Sequence, residues 1–340
     1  LITRPGCERI VRYAFDYALA NGRRKVTCFT KDNIMKLTDG LFHKVFDEVS
    51  ALPEYAGIEK EHWIVDIGAA KLADTPEAFD VVVMPNLYGD ILSDVAAQIA
   101  GSVGLAGSAN IGTACSMFEA IHGSAPRRAG QNLANPSGLF LGGVMMLVHI
   151  GQTEAAERAH NAWLRTIEDG IHTYDIFEEG VSKQKVGTKE FAQAVVARLG
   201  QMPERLKPAS YANAPKAAVP FEYVRGVPSQ REMIGVDVYI GWTGDREELA
   251  ARIQQVTDER LPLLMMSNRG IKVWPGGHKE TFCVDEFRCR FVTQPANRHL
   301  GYDEMAALLG RLAWSGLGFE KVETLCNYDG QAGYSLAQGQ

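Results

Sequence analysis

FDVVVMPNLYGDILSD, residues 79–94, joins a short apolar run to a segment with the spacing of a helix. The run at 79–86 is bounded by polar residues, which predicts a buried strand. Beyond it, apolar residues recur along one face of a helix: Ile91, Leu92, Val95 and Ile99. Asp90 and Asp94 fall together on the opposite face. A strand that leads directly into a helix is typical of α/β proteins, in which helices cover a sheet.

The same alternation of strand and helix runs through the first hundred residues. KVTCF (25–29) and HWIVDIG (62–68) are further short apolar runs, which predict buried strands. Residues 32–49 have the apolar spacing of a helix, and residues 69–79 have the length of one. This rhythm predicts an α/β layer architecture.

The second half of the chain divides at a proline-rich stretch. SGLFLGGVMMLVHI (137–150) is apolar on all sides, which predicts a buried core helix, and amphipathic helices are expected at 153–168 and 188–199. Five of the fourteen prolines lie within residues 203–229, which predicts a linker. Beyond it, residues 230–340 show the order β-α-β-β-β-α-β, typical of a small two-layer α/β domain.

Composition excludes several classes of protein. The net charge of −6 argues against binding to nucleic acid or to an anionic membrane. No apolar run approaches the roughly 20 residues that span a bilayer. Six cysteines are scattered without a C-x-x-C pair, which favours a reduced, cytoplasmic protein over a disulfide scaffold or a cysteine zinc site.

Two carboxylates one helical turn apart, Asp90 and Asp94, repel each other by about 0.2–0.5 kcal/mol. A shared Mg²⁺ or Mn²⁺ ion would offset that cost, since hard cations take oxygen ligands. The alternative is a solvated acidic helix face. Asp66 ends the predicted strand at 62–68, at the edge where ligands bind in open parallel sheets. It is equally suited to open the helix that follows.

Two further segments carry candidate chemistry. Lys31 and Asn33 directly follow a predicted strand, and a lysine beside a metal-bound hydroxyl takes part in proton transfer; the alternative is a surface lysine. FEAIHGSAPRRAGQNLANP (118–136) combines small residues with Arg127 and Arg128, which suits a phosphate group. The alternative is a Gly/Pro surface loop. The chain contains no G-x-G-x-x-G, so an ordinary Rossmann site is not supported.

Three segments together are specific: TKDNIMKLTDG (30–40), NLYGDILSD (86–94) and EAIHGSAPRRAGQNLANP (119–136). They resemble the signature segments of the isocitrate and isopropylmalate dehydrogenase family, which are metal-dependent decarboxylating β-hydroxyacid dehydrogenases. NIMK, MSNRG and FRCRF look most like the long bacterial members that use NADP. The resemblance implies the layered, non-Rossmann α/β fold of the family over residues 1–202, with a metal and dimer half at 1–100 and a cofactor half at 101–202.

The resemblance also implies the metal site and its partner subunit. Asp66, Asp90 and Asp94 match the three aspartates that bind Mg²⁺ or Mn²⁺. Lys31 matches the catalytic lysine. In the family, this lysine and the aspartate matched by Asp66 come from the other subunit, which implies a homodimer with shared active sites.

NADP is the implied cofactor. Asn33 matches a residue near its nicotinamide end. The residues matched to the adenosine-side loop are His122, Gly123, Ser124, Ala125, Pro126 and Asn135. Glu119 and Asp175 are two further candidates for cofactor binding. Arg127, Arg128 and Tyr174 match positions near the 2′-phosphate of NADP. Glu178 stands where some NADP-dependent members have arginine.

The implied reaction is oxidative decarboxylation of isocitrate to 2-oxoglutarate. The serine, arginines and tyrosine that recognise the substrate in the family belong to a segment before the position of Leu1, so the chain is expected to be incomplete for activity. Three alternatives stay open: another acid of this class (isopropylmalate, homoisocitrate or tartrate), an inactive shortened subunit, and a small-ligand sensing role for residues 230–340.

Overall fold

The computed structural model describes residues 1–212, 223–296 and 298–339, which divide into two compact units, 1–224 and 225–340. Part of the predicted linker, residues 213–222, lies outside the described residues. The first unit is built on a parallel three-stranded sheet in which β1 lies between the other two strands. The strands are β1 (Lys25–Thr30), β2 (Glu59–Ile64) and β3 (Val81–Val83).

Helices cover both faces of this sheet. Helices α1 (Arg4–Ala20) and α2 (Thr38–Ser50) pack on one face in a core that includes Val11, Phe15, Val26, Cys28, Val45 and Phe46. Helix α3 (Val65–Asp74) lies close to β1, where a Cβ at Gly68 would come within 2.8 Å of the Phe29 ring. The three strands are parallel, so their carboxyl ends meet at one edge of the sheet.

The predicted strand at 62–68 is wrong in its second half. The strand ends at Ile64 and α3 begins at Val65, which places Asp66 in the first turn of a helix. The helix predicted from residue 32 begins only at Thr38. The preceding turn is held instead by the carboxylate of Asp39, which accepts a hydrogen bond from the backbone N–H of Lys31 at 2.7 Å.

Helix α4 (Asn86–Ile99) forms where predicted, but its apolar stripe is largely uncovered. Leu92 is buried, whereas Ile91, Val95 and Ile99 are exposed. Periodicity identifies an apolar face without telling what covers it. An exposed apolar stripe of this kind is typical of a protein–protein interface.

The rest of the first unit packs around an antiparallel hairpin of β4 (Gly107–Ile111) and β5 (Ser116–Ala120). Helix α5 (Ser137–His149) lies against this hairpin so closely that a Cβ at Gly142 would be 2.7 Å from the carbonyl oxygen of Glu119. The remaining elements are α6 (Thr153–Glu168), β6 (Ile171–His172), β7 (Gln184–Lys185) and α7 (Thr188–Val196).

The helix predicted at 137–150 forms as α5, but the prediction that it is a buried core helix is wrong for much of its surface. Only the face of α5 that carries Gly138, Gly142 and Val144 is buried, while Leu139 is 64% exposed. Met146 and other apolar side chains of α5 are exposed as well. A helix that is apolar on all sides needs protein on all sides, and the described residues supply it on one side of α5.

The second unit confirms the predicted order of elements. They are β8 (Arg231–Gly241), α8 (Arg246–Val256), β9 (Leu263–Asn268), β10 (Ile271–Trp274), β11 (Glu286–Val292), α9 (Tyr302–Trp314) and β12 (Phe319–Tyr328), followed by a short β13 (Gln331–Ala332). They form one six-stranded sheet of order β10-β9-β11-β8-β12-β13, with every neighbouring pair antiparallel. Asp245 caps α8, accepting from the backbone N–H groups of Glu247 and Glu248.

Helices and sheet share one core in this unit. Leu249 and Ile253 of α8 and Leu308 of α9 pack with Val238 and Phe291 of the sheet, which gives the predicted two layers. The sheet also buries an ion pair, in which Arg290 donates to both carboxylate oxygens of Asp237 at 2.8 Å.

The cysteines and the lengths of the helices bear on two predictions made for the whole chain. All six cysteines are free thiols in the structure. Within residues 1–212, 223–296 and 298–339, no helix combines the length and the apolar character needed to cross a membrane.

Candidate active site

Lys31 and Asp66 form an ion pair at the carboxyl edge of the parallel sheet. Lys31 directly follows β1 and Asp66 lies in the first turn of α3, just after β2. The Lys31 Nζ atom is 3.0 Å from Asp66 Oδ1, and the Asp66 side chain is 68% exposed. The hydrogen bond from Lys31 lowers the pKa of the Asp66 carboxyl group below its usual range. Asp66 is therefore a carboxylate at neutral pH and remains open to solvent beside a cation.

Asp39 ties the segment of Lys31 to helix α4. Its side chain is buried and accepts the backbone N–H of Lys31 at 2.7 Å. The hydroxyl of Tyr88, in the first turn of α4, also hydrogen-bonds Asp39; burial and this bond raise the pKa of Tyr88 to about 12. One buried carboxylate thus fixes the start of α4 against the turn that carries Lys31. Nothing in the sequence marked Asp39 or Tyr88 as part of a site, because their contact joins residues far apart in the chain.

Asp90 and Asp94 lie one turn apart on the exposed side of α4. Across the described ranges, neither carboxylate has a hydrogen-bond or ion-pair partner. No hydrogen bond or ion pair in these ranges joins either residue to Lys31 or Asp66. Helix α3, which carries Asp66, packs against α4. Two adjacent unpaired carboxylates fit a hard divalent cation, since such an ion takes oxygen ligands and water. The grouping of Asp66, Asp90 and Asp94 around one ion stays a prediction.

Asn33 is exposed in the turn between β1 and α2. That turn closes through backbone hydrogen bonds from Ile34 and Met35 to the carbonyl oxygen of Lys31, at 3.0 and 2.8 Å. Asn33 therefore lies beside Lys31 on an ordered turn, and its role at the nicotinamide end of a cofactor stays a prediction.

The loop after β5 brings together two of the predicted 2′-phosphate residues. The guanidinium of Arg128 lies over the ring of Tyr174, 4.8 Å from its centroid. Ala125 adopts a left-handed backbone, with φ of 45°, just before the short helical turn Pro126–Arg128. In the part of the chain that the structure describes, neither Arg127 nor Arg128 forms an ion pair, so both guanidinium groups are available to an anion. Their exposure suits a phosphate group that enters from solvent.

Asp175 holds the far side of this region together. Its carboxylate accepts hydrogen bonds from Ser102 Oγ at 2.6 Å, Thr173 Oγ1 at 2.6 Å and Asn135 Nδ2 at 3.0 Å. Burial alone would raise the pKa of Asp175, but these three donors lower it below its usual range. Asp175 thus positions Asn135, and a direct contact of either residue with a cofactor stays a prediction. Ser102 had no signal in the sequence.

The other predicted cofactor residues are exposed in β5 and in the loop that follows it. Glu119 accepts a hydrogen bond from Asn110 Nδ2 at 2.8 Å across the hairpin. The Nδ1 atom of His122 lies 2.9 Å from the carbonyl oxygen of Gly123. Gly123 and Ser124 follow in the exposed loop, and a Cβ added at Gly123 would meet nothing within 4 Å. Glu178, which stands where some NADP-dependent members carry arginine, is exposed near Tyr174 in sequence.

Both units match known families. Residues 1–195 match the family Isocitrate/isopropylmalate dehydrogenase, and residues 231–340 match the family Bacterial isocitrate dehydrogenase, C-terminal domain. A Rickettsia bellii protein named Isocitrate dehydrogenase (NADP) is 49% identical over 342 residues, covering 100% of this chain and 70% of that protein. A Thermus thermophilus protein of the same name is 38% identical over 344 residues, covering 100% of this chain and 68% of that protein.

Similarity of structure agrees with similarity of sequence. The crystal structure of a Thermus thermophilus protein matches this chain with a TM-score of 0.87 at 38% identity, covering 100% of this chain and 68% of that one. The first family match covers more than half of the chain and contains both the Lys31–Asp66 pair and the Arg128–Tyr174 contact. The chain therefore belongs to the isocitrate/isopropylmalate dehydrogenase family.

Proposed function

We propose that this protein catalyses the oxidative decarboxylation of isocitrate to 2-oxoglutarate with NADP as the oxidant. The relatives named above, matched over the whole chain, are isocitrate dehydrogenases that carry NADP in their names. The observation that carries the proposal is the Lys31–Asp66 pair, 3.0 Å apart at the sheet edge where ligands bind in α/β proteins. It sets a proton-carrying ammonium beside an open carboxylate.

Asp66, Asp90 and Asp94 would hold Mg²⁺ or Mn²⁺. Their carboxylates are solvent-exposed, and the two on α4 have no partner in the described ranges, so the donor set fits a hard cation. When bound, a divalent ion supplies Lewis-acid polarisation of a hydroxyl or carbonyl oxygen. In the protein itself, Asp66 orients the Lys31 ammonium, and Asp39 fixes the backbone of Lys31 from behind. Lys31 Nζ is thereby held ready to donate or accept a proton at one place.

Arg128 and Tyr174 would bind the 2′-phosphate of NADP, with Arg127 beside them. NADP supplies the nicotinamide that accepts a hydride. Guanidinium groups pair with phosphate oxygens in bidentate fashion, and stacking on Tyr174 orients that of Arg128. The Asp175 network would hold Asn135 at the adenosine side of the cofactor.

A homodimer with shared active sites completes the proposal. Large apolar side chains are exposed on α4 and on the turn after β1, close in sequence to the proposed catalytic and metal residues. These exposed side chains are Leu87, Ile91, Val95, Ile34 and Leu37. A surface of this kind is typical of protein–protein interfaces. Covering it with a second copy would bring Lys31 and Asp66 of one subunit toward Asp90 and Asp94 of the other.

The direct test is an assay on the full-length protein that follows NADPH absorbance in the presence of Mg²⁺. Isocitrate is compared with isopropylmalate, homoisocitrate and tartrate, and NADP with NAD. Turnover that requires isocitrate, NADP and the metal is expected. A preference for isopropylmalate would overturn the substrate assignment, and no turnover with any of these acids would favour a non-catalytic subunit.

A further inference from the structure

A second cluster of metal-ligating side chains lies beside the candidate active site. Asp32 stands in the turn after β1, His43 on α2 and His62 on β2, and all three are half-buried. One nitrogen of each imidazole and one carboxylate oxygen of Asp32 lie within 4.8 Å of one another. Three neighbouring segments thus bring two imidazole nitrogens and one carboxylate oxygen close together.

The geometry points to a binding site for a transition-metal ion of the Zn²⁺ class, formed by Asp32, His43 and His62. It is separate from the proposed carboxylate site and shares no residue with it. Two imidazoles and one carboxylate are a common ligand set for Zn²⁺, with water in the fourth position. Mg²⁺ and Ca²⁺ prefer oxygen ligands throughout, so these histidines disfavour both ions.

The Asp32–His43 pair is already close to the spacing that such an ion requires. Bonds of about 2.0–2.2 Å in a tetrahedral site place neighbouring ligand atoms about 3.4 Å apart. His43 Nδ1 is now 2.7 Å from Asp32 Oδ2, so this pair has to open by less than about 1 Å. The two imidazole rings are stacked, with centroids 3.6 Å apart and planes 16° apart. A metal ion binds in the plane of an imidazole, so one of the two rings has to rotate out of this stack to bring both nitrogens to a single ion.

Polar groups around the cluster support the ligands. The Thr30 hydroxyl lies 2.8 Å from His62 Nε2 and also hydrogen-bonds Asp32, so it links two of the three ligands. On the other side of His43, Nε2 lies 3.8 Å from Asp47 Oδ1. A carboxylate on the outer nitrogen of a histidine ligand orients the ring and raises its basicity. Burial and the neighbouring His43 lower the pKa of His62, which favours the neutral form that binds metals.

The cluster is attached to the turn that carries Lys31. Asp32 is the next residue in the chain, and the backbone of that turn is held by Asp39 and by backbone hydrogen bonds to the carbonyl oxygen of Lys31. A bound ion would connect the turn to β2 and α2 through the two imidazoles. Binding is therefore expected to slow backbone hydrogen exchange in residues 31–37, an effect that can be measured without any enzymatic activity.

Cobalt spectroscopy on the full-length protein, without a histidine tag, tests the site. A four-coordinate Co²⁺ site with two histidines gives intense visible bands, whereas six-coordinate all-oxygen sites give weak ones. Intense bands that saturate at one Co²⁺ per chain, and that Zn²⁺ removes, are expected for the wild type. Asp94→Asn, which impairs the proposed carboxylate site, is expected to keep them. Failure of the proposed function would leave this result unchanged.

Matched variants decide whether these three residues are the ligands. His43→Gln and Asp32→Asn are expected to weaken Co²⁺ and Zn²⁺ binding by more than about tenfold, the scale on which even outer partners act. His299→Gln, an exposed histidine of the second unit, and Cys115→Ser, the exposed thiol, are controls expected to bind as the wild type. Circular dichroism checks that each variant folds.

Three results would overturn the site. They are weak cobalt bands alone, intense bands that persist in both His43→Gln and Asp32→Asn, and Zn²⁺ binding without slower exchange in residues 31–37. The isosteric Asp32→Asn keeps the test decisive if a histidine variant fails to fold.

Discussion

The Nζ atom of Lys31 lies 3.0 Å from Oδ1 of Asp66, across the carboxyl ends of neighbouring parallel strands. Neither side chain has another ion-pair partner in the part of the chain that the structure describes. These are the two residues for which family resemblance implies delivery to the active site of the other subunit. Their contact means that one rigid sheet edge would deliver both.

Replacement of Lys31 by methionine tests its role as a proton carrier. Lys31→Met is expected to lower kcat by about 100-fold or more, because general acid–base groups contribute on that scale. Its partly exposed side chain predicts little loss of stability. Steady-state kinetics with isocitrate and NADP measure the effect, and Lys36→Met, an exposed lysine in the same turn, is the control. A turnover close to that of the wild type would show that Lys31 is not the proton carrier.

Asp94→Asn tests the metal assignment while keeping the size of the side chain. The substitution is expected to lower turnover by about 100-fold or more and to raise the Mg²⁺ concentration needed for half-maximal rate, because metal polarisation is worth several kcal/mol. Titration of activity with Mg²⁺ checks it. Asp74→Asn, at the exposed end of α3, serves as the control, and an unchanged Mg²⁺ requirement in Asp94→Asn would refute the assignment.

Arg128→Gln tests recognition of the 2′-phosphate. A hydrogen bond to a charged group is worth about 1.5–3 kcal/mol, so the KM for NADP should rise about 10-fold to 100-fold. The KM for NAD, which lacks the phosphate, should change little. Arg158→Gln, an exposed arginine on α6, should leave both values as they are. Equal effects on NADP and NAD would argue that Arg128 acts through the fold of the loop.

The burial of His160 leads us to expect a lower free energy of unfolding in acid. Burial lowers its pKa below the ordinary value of about 6.5, and its Nδ1 lies 2.7 Å from the hydroxyl of Tyr211. A depressed pKa means that the unfolded chain binds the proton more readily. The stability contribution is therefore complete above about pH 6.5 and is lost as the pH falls through the folded-state pKa.

Urea unfolding at pH 7.5 and at pH 5 measures this loss. The difference in free energy of unfolding between the two pH values should be smaller in His160→Gln than in the wild type. His299→Gln, at an exposed position, is the control. The same difference in wild type and His160→Gln would contradict the assignment.

Local patterns in the sequence predicted much of this fold. The element order of the second unit was readable because short β-rich runs alternate with polar turns, and Asp245 marks the start of α8. The sequence did not predict in the same way which faces of α4 and α5 are buried. Periodicity and composition show that Leu139 and Ile91 need an apolar neighbour, but not whether this chain provides one.

In the candidate site, residues that belong to contiguous motifs were predictable, whereas residues joined only by tertiary contacts were not. Lys31, Asp90 and Arg128 belong to contiguous motifs, so their residue types and spacing drew attention to them. Asp39 and Tyr88 act through a contact between residues far apart in the chain, and neither spacing nor propensity encodes such a contact. The sequence does not predict the cluster of Asp32, His43 and His62 for the same reason, since the cluster exists only once β1, β2 and α2 are packed.

Subunit complementation tests the shared active site most directly. Full-length Lys31→Met and Asp94→Asn proteins, each nearly inactive alone, are mixed in equal amounts under conditions that exchange subunits. Each mixed dimer then has one site with both substitutions and one with neither, so isocitrate-dependent NADPH formation should recover to about a quarter of the wild-type rate in a symmetric dimer. No recovery, with subunit exchange demonstrated independently, would contradict the account.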